Sequence, residues 1–186
     1  GLPGDTLENF ADSFDQLVAL NPHEIQLGIL KRLRGAPLNR HNHNFDLRYN
    51  PQPPYNILST KHIDFISLQR VNRFARFWDL IGNSGRFINT LPLILAEQPF
   101  HRFMQLSDKL FDLAGQSHKI ALKRLFELIF VVLTDEFELD SERVKAQLKL
   151  DYIRAELKGS PDYENLPSLT RKTKAGVANK RQRQHA

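Results

Sequence analysis

Leu7, Phe10, Ala11, Phe14, Leu17 and Val18 fall at i, i+3, i+4, i+7, i+10 and i+11, with Glu8, Asp12 and Asp15 off that stripe. The spacing predicts an amphipathic helix within 6–20. Asp5 is its expected N-cap, and Glu8, three residues on, completes a capping box. Asn21-Pro22 ends the helix. The period then changes from 3.6 to 2: Ile25, Leu27 and Ile29 alternate with Gln26, Gly28 and Leu30, which predicts a strand over 24–30. Helix, short break and strand make two-thirds of a right-handed β-α-β unit whose first strand would precede Gly1. The expectation is that 24–30 lacks its parallel neighbour here and that the chain is the carboxy-terminal part of a longer one.

Lys31-Arg32-Leu33-Arg34-Gly35-Ala36-Pro37-Leu38 forms a basic turn. Residues 39–54 are rich in Asn, His and Pro, and together with Gly35 they predict no regular element. Helical spacing returns over 63–81, where Phe74, Phe77, Trp78 and Ile81 share a face and Gly82-Asn83-Ser84-Gly85 ends the run. Further helices are predicted over 87–95, 99–114 and 118–133, with 128–133 so uniformly apolar that it should be buried on all sides. A last helix over 141–157 presents Val144, Leu148, Tyr152 and Ala155, with Asp140-Ser141 as caps. The fold class is therefore mainly α with a residual β/α piece. The organisation is 1–38 for that piece, 39–57 for a connecting loop, 58–158 for a helical domain and 159–186 for a basic, disordered tail.

Composition narrows the chemistry. With 41% hydrophobic and 25% charged residues among 186, the chain is of ordinary globular make-up. It has no cysteine, which removes disulfides, thiolate metal sites and cysteine nucleophiles from these residues. The net charge of +5 is misleading, because Arg171, Lys172, Lys174, Lys180, Arg181 and Arg183 lie in the last 16 residues. The preceding 170 residues hold 20 Lys and Arg against 21 Asp and Glu, so the basicity belongs to the tail. The longest apolar run, 128–133, is far short of the ~20 residues that span a bilayer, and a cytoplasmic protein with no membrane partner is expected.

The order Gly1-Leu2-Pro3-Gly4-Asp5-Thr6, amphipathic helix, strand, Gly35-Ala36-Pro37-Leu38 resembles the late part of the radical S-adenosylmethionine (SAM) enzyme core. The continuation through Asn50-Pro51-Gln52-Pro53-Pro54-Tyr55 and Asn83-Ser84-Gly85-Arg86-Phe87 resembles the helical carboxy-terminal domain, of unknown function, of radical SAM proteins that carry a cobalamin-binding domain. The likeness covers most of the chain, the terminal Lys180-Arg181-Gln182-Arg183-Gln184-His185 included. It implies a partial (β/α) barrel in which a CxxxCxxC loop holds a four-iron four-sulfur cluster that cleaves SAM to a 5′-deoxyadenosyl radical. This chain has none of those cysteines and by itself would be inactive. The resemblance places Gly1, Leu2, Pro3 and Gly4 beside the SAM adenosine, and Gln26, Gly28 and Leu30 on the barrel interior facing SAM or substrate. Ala36 stands where many relatives carry a threonine. The implied partners are the upstream barrel and the cobalamin-binding domain of the same parent, and the helical part is expected to close or support the active site.

Other motifs have plainer readings. His41-x-His43 lacks a third ligand nearby and belongs to a surface loop, so no metal is assigned. Arg70, Arg73 and Arg76, with Arg86, form a solvated face expected to pair with Asp79 or the carboxylates of the first helix, in preference to an anion site. His23, His62, His101 and His118 stand singly as hydrogen-bonding residues. The rival to the radical SAM reading is a freestanding helical interaction module whose tail contacts nucleic acid through counterion release. The near-neutral body disfavours it.

Overall fold

A computed structural model describes residues 1–163. The six-cation stretch, and the predicted tail apart from 159–163, lie outside the described residues. The elements are α1 (Leu7–Ala19), β1 (Arg48–Tyr49), β2 (Ile57–Ser59), α2 (Phe65–Ile81), α3 (Leu91–Leu95), α4 (Pro99–Ala114), α5 (Leu122–Val131) and α6 (Ser141–Arg154). A 3-10 helix (Pro37–His41) precedes β1, and one π-helical turn (Val132–Glu136) follows α5. The architecture is mainly α, as the periodicity predicts.

The first helix starts one residue later than the capping-box reading. Asp5 N–H donates to Leu2 O in a turn that passes through Gly4 at φ +82°, and this leaves the Thr6 hydroxyl to accept from Asn9 N–H at 3.1 Å. Thr6, not Asp5, is the N-cap, and Glu8 contributes only its charge to the first turn. Of the predicted stripe, Phe14 alone is fully buried; it meets Phe74 and Trp78 edge-on at 4.9 and 4.8 Å. Those two rings in turn pack on Phe103 of α4 at 5.1 and 5.0 Å. Asp15, off the stripe, accepts from Phe100 N–H at 2.6 Å and so caps α4, whose own N-cap residue, Gln98, makes no side-chain cap bond. Apolar and polar faces of α1 thus both tie it to α4.

Residues 24–30 do not form the predicted strand. The alternation places the side chains correctly: Ile25 is buried, Leu27 and Ile29 pack against the main core, and Gln26 and Gly28 are exposed. Among the described residues no neighbouring strand supplies a ladder. The side-chain amide of Asn83, just past α2, instead accepts from Ile25 N–H (3.1 Å) and donates to Ile25 O (3.0 Å). Pairing begins only at the far end, where Lys31 bridges Asn56 antiparallel, Leu30 O accepts from Ile57 N–H and Arg32 N–H donates to Tyr55 O. One face of alternating residues fixes burial, but a strand needs a partner backbone at ~5 Å.

The region expected to be irregular holds the two-stranded antiparallel sheet. Arg48 pairs with Ser59 and Tyr49 with Ile57, and Pro51, Pro53 and Pro54 all fall in the connection, where a missing N–H costs nothing. The hairpin is held by a second, smaller core of Leu47, Ile57, Ile63 and Leu68, with Leu30, Phe45 and Tyr49 against it. Leu68 belongs to α2, whose start is capped by Asp64 accepting from Ser67 N–H at 2.7 Å.

The main core is shared by α1, α2, α4, α5 and α6. On α2, Phe74, Phe77, Trp78 and Ile81 are all buried, and residues 128–133 are buried throughout, both as predicted. The helix predicted over 87–95 is reduced to Leu91–Leu95. The carboxylate of Asp151, on α6 and fully buried, accepts from Asn89 N–H (3.0 Å), Asn89 Nδ2 (2.8 Å), Thr90 N–H (2.9 Å) and Thr90 Oγ1 (2.6 Å). These bonds hold 87–90 as a turn ahead of the helix. At the other end Arg102 donates to Ile94 O, and its guanidinium lies 3.6 Å from the centre of the Phe137 ring. The short helix therefore has an anion at its start and a cation at its end, the signs that its dipole favours. The 118–133 helix begins at Leu122 and ends in the π turn, where Phe137 N–H reaches back to Val132 O. The last helix stops at Arg154, and Tyr163 beyond it packs on Phe130 at 4.6 Å, so the folded body extends into the segment assigned to the tail.

Asp151→Ala should cost about 3 kcal/mol, since it strands four donors in a dry site. Asp151→Asn should cost roughly 2 kcal/mol, because its amide N–H faces other donors. Asp140→Ala, an exposed cap, should cost only about 1 kcal/mol. Urea unfolding followed by the fluorescence of Trp78, the sole tryptophan, measures all three. The same assay should show a loss of about 3–5 kcal/mol for Phe14→Ala.

Candidate functional site

The basic turn and the hairpin build an open concavity. Arg32 is fixed through its backbone to Tyr55, and Leu33 O accepts from Ala36 N–H and from the Asn39 side chain at 3.2 and 3.4 Å. Gly35 at φ +76° supplies the left-handed residue this turn requires. Pro37 then opens the 3-10 helix, which carries Asn39 and leads to Asn42. The result is an open cavity of about 650 Å³ whose wall includes Arg32, Arg34, Asn39, Asn42, Tyr49 and Tyr55.

Among the described residues no acid lines this cavity. Among the described residues neither Arg32 nor Arg34 has a carboxylate partner; of the flanking acids in sequence, Glu24 accepts from the Gln26 side chain and Asp46 is paired with Arg48 at 3.2 Å. The Arg32 guanidinium lies 5.9 Å from the centre of the Tyr49 ring. Burial pushes the Tyr49 hydroxyl above its ordinary pKa, and the Arg32 charge pulls partly the other way, so the group is a neutral donor at physiological pH. Asn42 Oδ1 is a buried acceptor that receives no hydrogen bond. The wall thus carries two cations, two phenols and two side-chain amides.

The residues singled out by the resemblance lie nearby but not in this cavity. A side chain on Gly1 would meet Ile57 Cγ2 at 2.8 Å, and Leu30 packs on the same small core, so residues 1 and 30 converge on Ile57. Leu2 is exposed and Pro3 half-buried. Gly4 turns at φ +82° with the Phe45 ring 3.6 Å from where a Cβ would be. Gln26 is exposed and donates to Glu24 at 3.3 Å, and Gly28 has no atom within 4 Å of a notional Cβ. Gly1, Gly4 and Leu30 are therefore brought to one small core, while Gln26 and Gly28 face outward.

The arginine face pairs with an acid other than those expected. Arg70 and Arg73 meet Asp108 of α4 at 2.7 and 3.5 Å, and the Arg73 guanidinium lies 4.5 Å from the centre of the Phe111 ring; Asp79 instead accepts from the Asn83 side chain. Helix α2 packs on α4 through its apolar stripe, which brings its flanking arginines to α4 and not to α1. His41 Nε2 accepts from Arg40 Nε at 3.1 Å. Among the described residues no three His, Cys, Asp or Glu side chains cluster as a metal site. Sequence reading passed over Tyr49, Tyr55, Asn39 and Asn42. The signal available was local: Lys31, Arg32, Arg34 and Arg40 occur with no acid between Glu24 and Asp46.

Residues 43–185 match a family described as protein of unknown function (DUF4080). No curated protein and no solved structure matches the chain. The match takes in the hairpin side of the cavity and all helices from α2 onward, and Arg32, Arg34, Asn39 and Asn42 precede it.

The difference between ultraviolet titrations of the wild type and Tyr49→Phe should show a phenol midpoint above the ordinary value of about 10. Arg32→Ala should move that midpoint further up, because only burial then acts on it. A group whose folded pKa is raised lends stability that is whole below the unfolded value and lost as pH climbs through the folded one. Wild type should therefore lose stability relative to Tyr49→Phe only in the alkaline range above pH ~10.

Proposed function

This protein belongs to the family described as protein of unknown function (DUF4080), and from the resemblance of its segments 1–6 and 35–38 to the radical SAM core we propose that it is the carboxy-terminal part of a cobalamin-associated radical SAM enzyme. In this reading residues 1–38 adjoin the barrel and the helices support or close its mouth. The observation that carries it is the segment 24–30. Its Ile25, Leu27 and Ile29 face is docked on the helical core, while the Gln26 and Gly28 face is open and has no ladder partner among the described residues. Such a segment suits a place at a sheet edge that another part of the parent completes.

The chain's residues fit the implied groups unequally. Without cysteine it has no thiolate for an iron-sulfur cluster, so the cluster ligands do not lie in this chain. SAM fits better: Gly28 leaves open space where a side chain would stand, and Gly4 exposes backbone in a turn just ahead of α1. When bound and reductively cleaved, SAM supplies a 5′-deoxyadenosyl radical. The role of this chain's own atoms would be to lie along the adenosine, through Gly4 and Gly28, and to exclude water behind it through the helical core. No helix among the described residues is long and apolar enough to cross a membrane.

The full-length protein tests this reading. Its coding sequence should hold CxxxCxxC upstream of Gly1, and anaerobic reconstitution should yield a cluster spectrum and 5′-deoxyadenosine. The 186-residue chain alone should yield neither. Gly28→Val meets no neighbour, so it should leave the melt unchanged while weakening SAM binding about tenfold, or ~1.4 kcal/mol. A full-length protein without the cysteine loop would sink the proposal, and unchanged SAM affinity in Gly28→Val would remove this segment from the SAM site.

A further inference from the structure

We infer that the cavity between the basic turn and the hairpin binds a phosphate monoester of nucleotide size, a function separate from any radical chemistry and independent of that reading. Its volume of about 650 Å³ falls within the ~300–1,000 Å³ of small-molecule sites. Arg32 and Arg34 belong to its wall, and neither is neutralised by an acid among the described residues. Solvated surface arginines are common, but these two differ from the Arg70 and Arg73 pair, which share Asp108. Arginine presents a planar fork of donors that matches phosphate oxygens two at a time, which makes phosphate a better fit than a single carboxylate.

The remaining wall suits the rest of a nucleotide. Tyr49 and Tyr55 are part of the wall too, and tyrosine side chains pack well against a flat heterocycle. Asn39 and Asn42 in the wall carry side-chain amides, whose ordinary partners are hydroxyl and amino groups. Ribose hydroxyls and exocyclic amines are such groups. The scaffold is set before any ligand arrives: Arg32 is held by its N–H to Tyr55 O, and Asn39 by its side chain to Leu33 O. SAM, with a sulfonium cation and no phosphate, is a poor match to two arginines.

The test is calorimetric titration of the 186-residue chain with adenosine monophosphate, adenosine and inorganic phosphate. The monophosphate should bind, adenosine at least about tenfold more weakly, and phosphate should compete. Arg32→Ala and Arg34→Ala should each weaken the monophosphate about tenfold, and Arg32→Lys should retain part of the affinity. Arg76→Ala, which removes the same charge from an exposed position on α2, should change nothing. Trp78 fluorescence reports whether each variant is folded. No binding of the monophosphate at millimolar concentration overturns the inference. So does an equal loss in Arg76→Ala, which would mean diffuse attraction. Binding of a short single-stranded oligonucleotide that the monophosphate fails to displace would assign the surface to nucleic acid and also overturn it.

Discussion

A helix that begins inside a protein carries N–H groups that its own turns cannot satisfy, and at the starts of α3 and α4 side chains from remote parts of the chain take up backbone donors. Asp151 of α6 takes the donors ahead of α3, across 61 and 62 residues of sequence. Asp15 of α1 takes the Phe100 N–H at the start of α4, across 85 residues. Asn83, past the end of α2, performs the corresponding service for the backbone of Ile25 across 58. Each bond does two things at once: it satisfies a backbone group that has no partner in its own element and fixes how two parts of the chain lie against each other. A carboxylate buried as fully as Asp151 is tolerable only because four donors surround it.

The aromatic core supplies the free energy that these polar contacts direct. Phe14, Phe74, Trp78 and Phe103 join α1, α2 and α4 edge to face, the arrangement their ring quadrupoles favour. α1 consequently shares one core with the helices instead of standing apart from them. The smaller core under the hairpin is attached to this frame by Leu68, one turn into α2. It carries Leu47 and Tyr49 into the wall of the cavity and receives Gly1 and Leu30 on its other contacts. The basic turn can hold Arg32 and Arg34 in place because the hairpin is anchored in this way.

The partial legibility of these features has a physical pattern. The face of 24–30 that would be buried was readable, because alternation reports which side chains avoid water. Its lack of strand pairing was not, because a ladder depends on what lies beside the segment. The Arg70 and Arg73 row was readable as a helix face with ionic partners, but the partner, Asp108, follows from which side of α2 packs on α4. Prolines at 51, 53 and 54 were taken to exclude regular structure over 39–54, yet they confine themselves to the connection and leave Arg48–Tyr49 and Ile57–Ser59 free to pair. The cavity went unseen because its wall is assembled from a turn, a 3-10 helix and a hairpin that carry no periodicity.

What the sequence by itself determined is whatever depends on neighbours a few residues apart. That covers the helices α1, α2, α4 and α6, the cap at Asp140, and the burial of 128–133. Even the one-residue shift from Asp5 to Thr6 stays within that local logic, since both are capping residues and the turn at Gly4 chooses between them. Tertiary structure alone decided the truncation of α3 by Asp151, the capping of α4 by Asp15, the docking of 24–30 on Asn83, and the meeting of Arg32, Arg34, Asn42 and Tyr49 around one cavity. Hydrophobic periodicity records how each element meets water, averaged over its length. A hydrogen bond between residues 60 or more apart leaves no such periodic trace, because it depends on one side chain at one position finding one backbone group after the core has closed.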